Sequence, residues 1–177
     1  MRVLVASDIH GSIYHTKKLI ERFKVEKAER LILLGDIYHV GMGGENYEYN
    51  AQEVTYELNA IWDKVVSTRG NCDSQFDEDT SNFSFIDDLT LNVKDKKVYM
   101  AHGHKINWYH PHYYGDIIIF GHLHTGYIKK DEGVIIVNTG SISSPKSGTE
   151  NSYVILTDDY IELKSLDGEV INSVEFE

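Results

Sequence analysis

The sequence predicts an α/β protein with two mixed β-sheets packed face to face between helices. Three observations point there. The front half alternates short apolar runs with segments of helical spacing, the pattern of βαβ units and a partly parallel sheet. The back half is mostly strand signals, which predicts a second, more antiparallel sheet. The chain has 177 residues, 41% of them hydrophobic, which suits one domain over 1–177 with a core of its own.

The elements follow in order. RVLVAS (Arg2–Ser7) is short, apolar and β-branched, so it reads as a buried strand. Leu19, Ile20 and Phe23 recur among charged residues and predict a helix over roughly 13–26. RLILLGD (Arg30–Asp36) is a second buried strand, and the glycine- and tyrosine-rich Tyr38–Asn50 is a loop. Ala51–Trp62 is a helix with Val54, Leu58 and Ile61 on one face, and Lys64–Asn71 is a strand ending in a turn. Asp73–Asn82 is polar without a period. Strand signals return at Leu89–Val93 and Lys97–His104, followed by an aromatic and histidine loop at Asn107–Gly115. DIIIFGHLH (Asp116–His124) and GVIIVNTGS (Gly133–Ser141) are further strands running into turns. The tail, with SYVILT, YIELKSL and VINSVEF separated by Asp-Asp and Asp-Gly, reads as antiparallel strands.

Composition narrows the function. The net charge of −11 argues against broad binding to nucleic-acid backbones, which needs a basic face. It leaves room for an anionic substrate at one site, because bound cations reverse the local field. The N-terminus carries no signal-peptide pattern and no apolar run has the length of a membrane span. A single cysteine, Cys72, fits a reducing compartment. The expectation is a cytoplasmic protein without membrane attachment, its oligomeric state open between monomer and homo-oligomer.

The polar residues fall at strand ends. Asp8 and His10 follow the first strand, Asp36 the second and Asn71 the third; His102 and His104 follow VYMA, and His122 and His124 follow IIIFG. Carboxyl ends of parallel strands collect at one edge of an open α/β sheet, where ligands bind. Imidazole nitrogen with carboxylate and amide oxygen suits divalent first-row metals such as Mn, Fe, Co, Ni or Zn. Aspartate and glycine after one strand are ordinary turn residues, and a lone His-x-His is commonly a surface feature. Five strand ends, each delivering a ligand type, go beyond turn chemistry.

SDIHG, GD, RGNCD, HGH, GHLH and NTGS, in this order, resemble the motif set of the calcineurin-like metallophosphoesterases, and the RGNCD form and compact length resemble the small YfcE-type phosphodiesterase branch. The resemblance runs from Ser7 to about Pro145. It implies a four-layer αββα sandwich with two divalent metal ions. Asp8, His10 and His124 would hold one metal, Asn71, His102 and His122 the other, and Asp36 would bridge them. The activity implied is that of a metal-dependent phosphodiesterase acting on a small phosphoester, with a metal-bridging hydroxide attacking phosphorus. Two dications, two carboxylates and a hydroxide sum to about +1, which admits a phosphate ester to an acidic chain. Manganese is the first expectation for the metal, with Fe, Ni, Co or Zn open.

Two residues outside the ligand set are catalytic candidates. His104 lies two positions after His102 and reads as a phosphate contact or a donor beside the ligands. Cys72 stands where many members of the superfamily carry a histidine that assists the leaving group; a neutral thiol does this poorly, so substrates with good leaving groups should be favoured. A cysteine nucleophile is not required. Asp73 reads as a turn or cap residue, with a hydrogen bond into the site open. Asn138 and Ser141 in NTGS match the family's Asn-Pro-Gly-Ser turn, with Thr139 replacing proline, and read as support for the ligand loops. His39 reads as a solvated loop histidine, and His110 and His112 are not assigned as ligands. Tyr38, Tyr47, Tyr49, Trp108, Tyr109, Tyr113 and Tyr114 flank the ligand segments and offer either stacking on an aromatic substrate group or packing. Two alternatives stay open: a phosphomonoesterase, and a non-catalytic scaffold of the kind the same fold provides in vesicle coats.

Overall fold

The structure is a computed structural model and describes residues 1–39 and 48–176. Most of the loop read at Tyr38–Asn50, Tyr47 included, lies outside the described residues.

The first sheet has seven strands. β1 (Arg2–Ala6), β2 (Arg30–Leu33), β3 (Val65–Thr68) and the short β4 (Phe85–Ile86) run parallel in that order. On the other side of β1, β10 (Ser152–Thr157), β11 (Tyr160–Ser165) and β12 (Val170–Glu175) continue the sheet antiparallel. The second sheet has the order β5 (Leu89–Val93), β6 (Lys96–Ala101), β7 (Ile117–Phe120), β9 (Val134–Asn138), β8 (Tyr127–Asp131). Its three central strands are parallel and both edge strands antiparallel. Both sheets are therefore mixed, as expected.

The period of two along each strand divides the core into layers. On β1, Leu4 and Ala6 face α1 (Ile13–Val25) and α2 (Ala51–Asn59), packing with Leu19, Phe23, Val54 and Leu58. Val3 and Val5 face the other way, into the layer between the sheets with Met100, Ile117, Ile119 and Val137. Ile118, Phe120 and Ile136 point out of the far side of the second sheet. Each fully buried aliphatic side chain contributes about 1.5–3 kcal/mol, so the hydrophobic alternation fixes which face of each strand turns inward.

Besides the short β4, four features differ from the sequence expectation. The tail strands extend the first sheet rather than forming part of the second. Every residue of β10 is buried, as a strand flanked by β1 and β11 and covered on both faces requires. The far face of the second sheet is covered by the segment between β6 and β7, with Ile106 buried and Tyr99 and Tyr114 packed beside it, and not by an α-helix. Asn107, Pro111 and Gly115 in that segment oppose a helix, and its regular structure is one 3₁₀ turn, Pro111–Tyr113. The polar stretch after Asp73 contains α3 (Gln75–Thr80), started by a capping box in which Ser74 and Asp77 satisfy each other's backbone N–H groups. β8 was not anticipated; it is a half-exposed, lysine-bearing edge strand without apolar alternation.

Candidate metal centre

The carboxyl ends of β1, β2, β3, β6 and β7 meet at one edge, and this edge draws all seven predicted ligands together. The loops leaving β1 and β2 stay paired past the strands, with Asp8 N–H donating to Gly35 O at 3.1 Å and His10 N–H to Asp36 O at 3.0 Å. Asp8, His10, Asp36, His122 and His124 all have left-handed backbone, with φ of 58°, 50°, 54°, 64° and 59°. That conformation is uncommon away from glycine and is enriched in Asp, Asn and His. It turns consecutive side chains out of the strand direction toward one point. The close approach needs bare backbone at two positions: a Cβ on Gly70 would lie 2.1 Å from Asp36 Oδ1, and one on Gly121 2.0 Å from Ser7 Oγ.

The donor atoms form two groups. His124 Nε2 and His10 Nε2 lie 3.2 Å and 3.6 Å from Asp8 Oδ1. In the second group, His102 Nε2 is 3.4 Å from Asp36 Oδ2, 3.0 Å from Asn71 Oδ1 and 3.1 Å from His122 Nδ1. Asp8 lies at the junction: its donor atoms fall within 4.8 Å of those of His10 and His124, and also of those of Asp36 and His102.

Backbone carbonyls fix the imidazoles. His10 Nδ1 faces His39 O at 2.7 Å, His102 Nδ1 faces Leu34 O at 2.7 Å, and His124 Nδ1 faces Ser144 O at 2.8 Å. A carbonyl can only accept, so each Nδ1 carries a proton, and in the neutral ring each Nε2 turns a lone pair inward. In that form His10 Nε2 and His124 Nε2, 3.2 Å apart, have no proton between them, and buried Asp8 Oδ1 has no hydrogen-bond partner. Three acceptors converging without a donor require positive charge between them. The residues present fit a divalent cation in each group.

The ionisation of these groups follows the same geometry. Burial opposes charge on Asp8, but His10 and His124 outweigh it and hold the carboxyl far below the usual range. Burial would push His10 down, yet the negative charge of Asp8 beside it raises it; His102 is raised in the same way by the charges of Asp8 and Asp36. Asp36 is lowered, burial being overcome by His102 and by the N–H of Cys72. His122 is pushed down by burial and then by His102.

The surrounding residues divide clearly. Cys72 donates its N–H to Asp36 Oδ1 at 2.8 Å, and its thiol lies 3.3 Å from Asn71 Nδ2. Burial, then the Asp36 charge, pushes that thiol up to about 12, so it is a neutral neighbour of the site. His104 is exposed at the mouth, its ring 5.3 Å from that of His102. His39 serves through its carbonyl, while its exposed ring pairs with Asp77 at 3.3 Å. His110 and His112 are exposed and contact each other and Tyr113.

The NTGS turn does support the ligand loops. Asn138 Nδ2 donates to Gly121 O at 2.6 Å, and Ser141 Oγ donates to Asp8 O at 2.7 Å. Thr139, where the family has proline, donates its N–H to Phe120 O at 2.9 Å, a bond that proline could not make. Asp73 does more than close a turn, and the hydrogen bond left open for it is present: its carboxylate clamps the backbone of the Asp36 and Asn71 loops together. The signal was the final acid of RGNCD, placed where it can reach back to the preceding strand end.

Comparison with known proteins agrees with this geometry. The pattern of the calcineurin-like phosphoesterase superfamily domain matches residues 1–159. The chain belongs to that superfamily. It is 30% identical to Phosphodiesterase YfcE of Escherichia coli K12, over 97% of this chain and 95% of the relative. The solved structure of YfcE, described as a phosphoesterase, matches at a TM-score of 0.93 with 28% identity, covering 100% of both chains. Vps29 of Entamoeba histolytica, solved with zinc, matches at a TM-score of 0.65 and 21% identity over 100% of both chains, which shows the shared fold alone. Divalent metal ions and small phosphoester substrates are what this superfamily implies for the chain. Among the described residues no helix is long and apolar enough to cross a membrane.

Proposed function

We propose that this chain is a binuclear-metal phosphodiesterase acting as one domain over 1–177. Asp8, His10 and His124 would hold one cation, Asn71, His102 and His122 the other, with Asp36 shared between them and Asp8 close to both groups. The observation that carries the reading is the pair of inward-facing Nε2 lone pairs of His10 and His124, 3.2 Å apart beside an unpartnered Asp8 Oδ1. The relation to YfcE, named a phosphodiesterase, supports the diester over the monoester. When bound, two divalent cations polarise phosphoryl oxygens and make hydroxide available at neutral pH. Manganese is the proposed metal, ahead of Fe, Ni, Co and Zn.

The chain's own residues orient the substrate. His104, exposed at the mouth, donates a hydrogen bond to a phosphoryl oxygen. Cys72 carries its proton and supplies little acid assistance, so departure depends on the leaving group and good leaving groups react fastest. The acidic surface turns away long polyanions and leaves small phosphodiesters as the substrates. The cytoplasm, where one free cysteine stays reduced, is the proposed compartment.

The test compares initial rates on bis-p-nitrophenyl phosphate and p-nitrophenyl phosphate after metal stripping and Mn²⁺ addition. Metal-dependent turnover favouring the diester is expected. Preference for the monoester would make the protein a phosphatase. No turnover with Mn²⁺, Ni²⁺, Co²⁺ or Zn²⁺ would favour a scaffold.

A further inference from the structure

The aromatic loop that follows β6 builds a cleft beside the metal centre. Trp108 lies against Phe120 with ring centroids 4.6 Å apart, and Tyr127 meets Phe120 from the other side at 6.2 Å. Phe120 is the floor, and Trp108 and Tyr127 form the walls of a cleft of about 330 Å³. That volume lies at the small end of natural ligand sites and suits one ring system.

The cleft reaches the metal-bearing edge. Leu123 is among its lining residues and is 47% exposed, and its neighbours in sequence are His122 and His124. Consecutive Cα atoms are about 3.8 Å apart, so this lining residue is one backbone step from a ligand of each metal group. Register fixes the direction. Tyr127 stands across from Asn138 at the carboxyl edge of β9, and Asp131 stands across from Val134 at its other end. The cleft thus runs from the metal edge down the outer face for about 13 Å. Its far end is polar: Lys129 Nζ and Asp131 Oδ2 lie 3.2 Å apart, both half-exposed, and offer a donor and an acceptor.

We propose that this cleft is the subsite for a nucleoside arm of the phosphodiester substrate. The inference rests on the phosphodiesterase reading and names its substrate class. Aromatic walls take the face of a base, and the Lys129–Asp131 pair meets its polar edge. A purely hydrocarbon arm would leave that polar end unused. Stacking of a base on aromatic side chains is tolerant of sequence and needs no basic surface, which suits an acidic protein.

Two esters with the same leaving group isolate the subsite: the p-nitrophenyl ester of thymidine 5′-monophosphate and methyl p-nitrophenyl phosphate. Wild-type kcat/KM is expected to favour the thymidine ester by about tenfold or more. Trp108→Ala brings the ratio near one, and Trp108→Phe, which keeps a ring on Phe120, retains most of it. Equal kcat/KM in the wild type, or a ratio that survives Trp108→Ala, overturns the proposal. A second readout needs no turnover. The chain has two tryptophans, so Trp62→Phe leaves Trp108 as the reporter. In that protein loaded with Zn²⁺, thymidine 5′-monophosphate quenches the fluorescence and deoxyribose 5-phosphate does not; equal responses overturn the cleft. Hydrolysis of neither ester defeats the phosphodiesterase reading, and the quench still decides the cleft.

Discussion

One oxygen of Asp73 accepts the backbone N–H of Asp36 at 2.8 Å and also that of Gly70 at 2.8 Å, while the other oxygen takes Ile37 N–H at 3.0 Å. Asp73 never reaches the metal groups, yet it fixes where the Asp36 carboxylate points. Asp73→Ala would leave three part-buried N–H groups without a partner, for a loss of about 3 kcal/mol. Metal affinity should fall by about 10- to 100-fold, as for other residues that orient ligands. A Mn²⁺ titration and a melting curve check both effects. Wild-type affinity in Asp73→Ala would falsify the clamp.

Asp36→Asn and His122→Ala are expected to abolish metal-dependent turnover. Each removes a donor from the second group, and Asp36→Asn also removes charge from between the two sites. Assays at saturating Mn²⁺ decide it. Retention of wild-type rates in either variant would rule out the two-metal assignment.

Cys72 contributes its backbone N–H to Asp36, and alanine keeps that N–H. Cys72→Ala should therefore hold substantial activity, within about tenfold of wild type on a substrate with a good leaving group. A loss as deep as that of the ligand variants would show that the thiol takes part in the chemistry.

At the start of β1, far along the strand from Asp8, Glu26 accepts from Arg2 at 2.5 Å, Lys164 at 2.5 Å and Tyr153 at 2.9 Å. Burial alone would raise Glu26, but Lys164, Arg2 and Tyr153 together lower it. A carboxyl lowered on folding stabilises the native state above its unfolded pKa, and the contribution is lost as pH falls through the folded value. Glu26→Gln should cost about 3 kcal/mol at neutral pH. The gap in Tm between wild type and variant should close as the pH drops below about 4, the ordinary glutamate range. A gap that stays constant down to the acid transition would contradict the assignment.

Much of the site was legible because strand ends mark themselves. LILL running into Gly35-Asp36, and IIIF into Gly121-His122, change abruptly from β-branched apolar residues to turn and ligand types. The elements that escaped notice have weak local signals. α3 has six residues, too few to show a helical period, and only its Ser74–Asp77 capping box could have announced it. β8 is an edge strand, and edges carry lysines in place of apolar alternation. The tail reads as strands in sequence, but strand patterns do not say which neighbour they pair with, and β10 joins β1 in the first sheet. Asp73 escaped for a related reason: its partners, Asp36 and Ile37, come from another strand end. The left-handed backbone at five ligands also has no signature beyond the residue types that tolerate it.

The two inward-facing imidazoles come from different sheets. His10 follows β1 and His124 follows β7, and they are 114 positions apart in sequence. A cation held between them is a reversible cross-link in a chain whose one cysteine excludes an internal disulfide. It stabilises the folded state by mass action: at a metal concentration 100 times the dissociation constant it adds about 2.7 kcal/mol to folding. A chelator would remove that contribution and leave the two sheets joined by their shared core and by bonds such as His102 Nδ1 to Leu34 O.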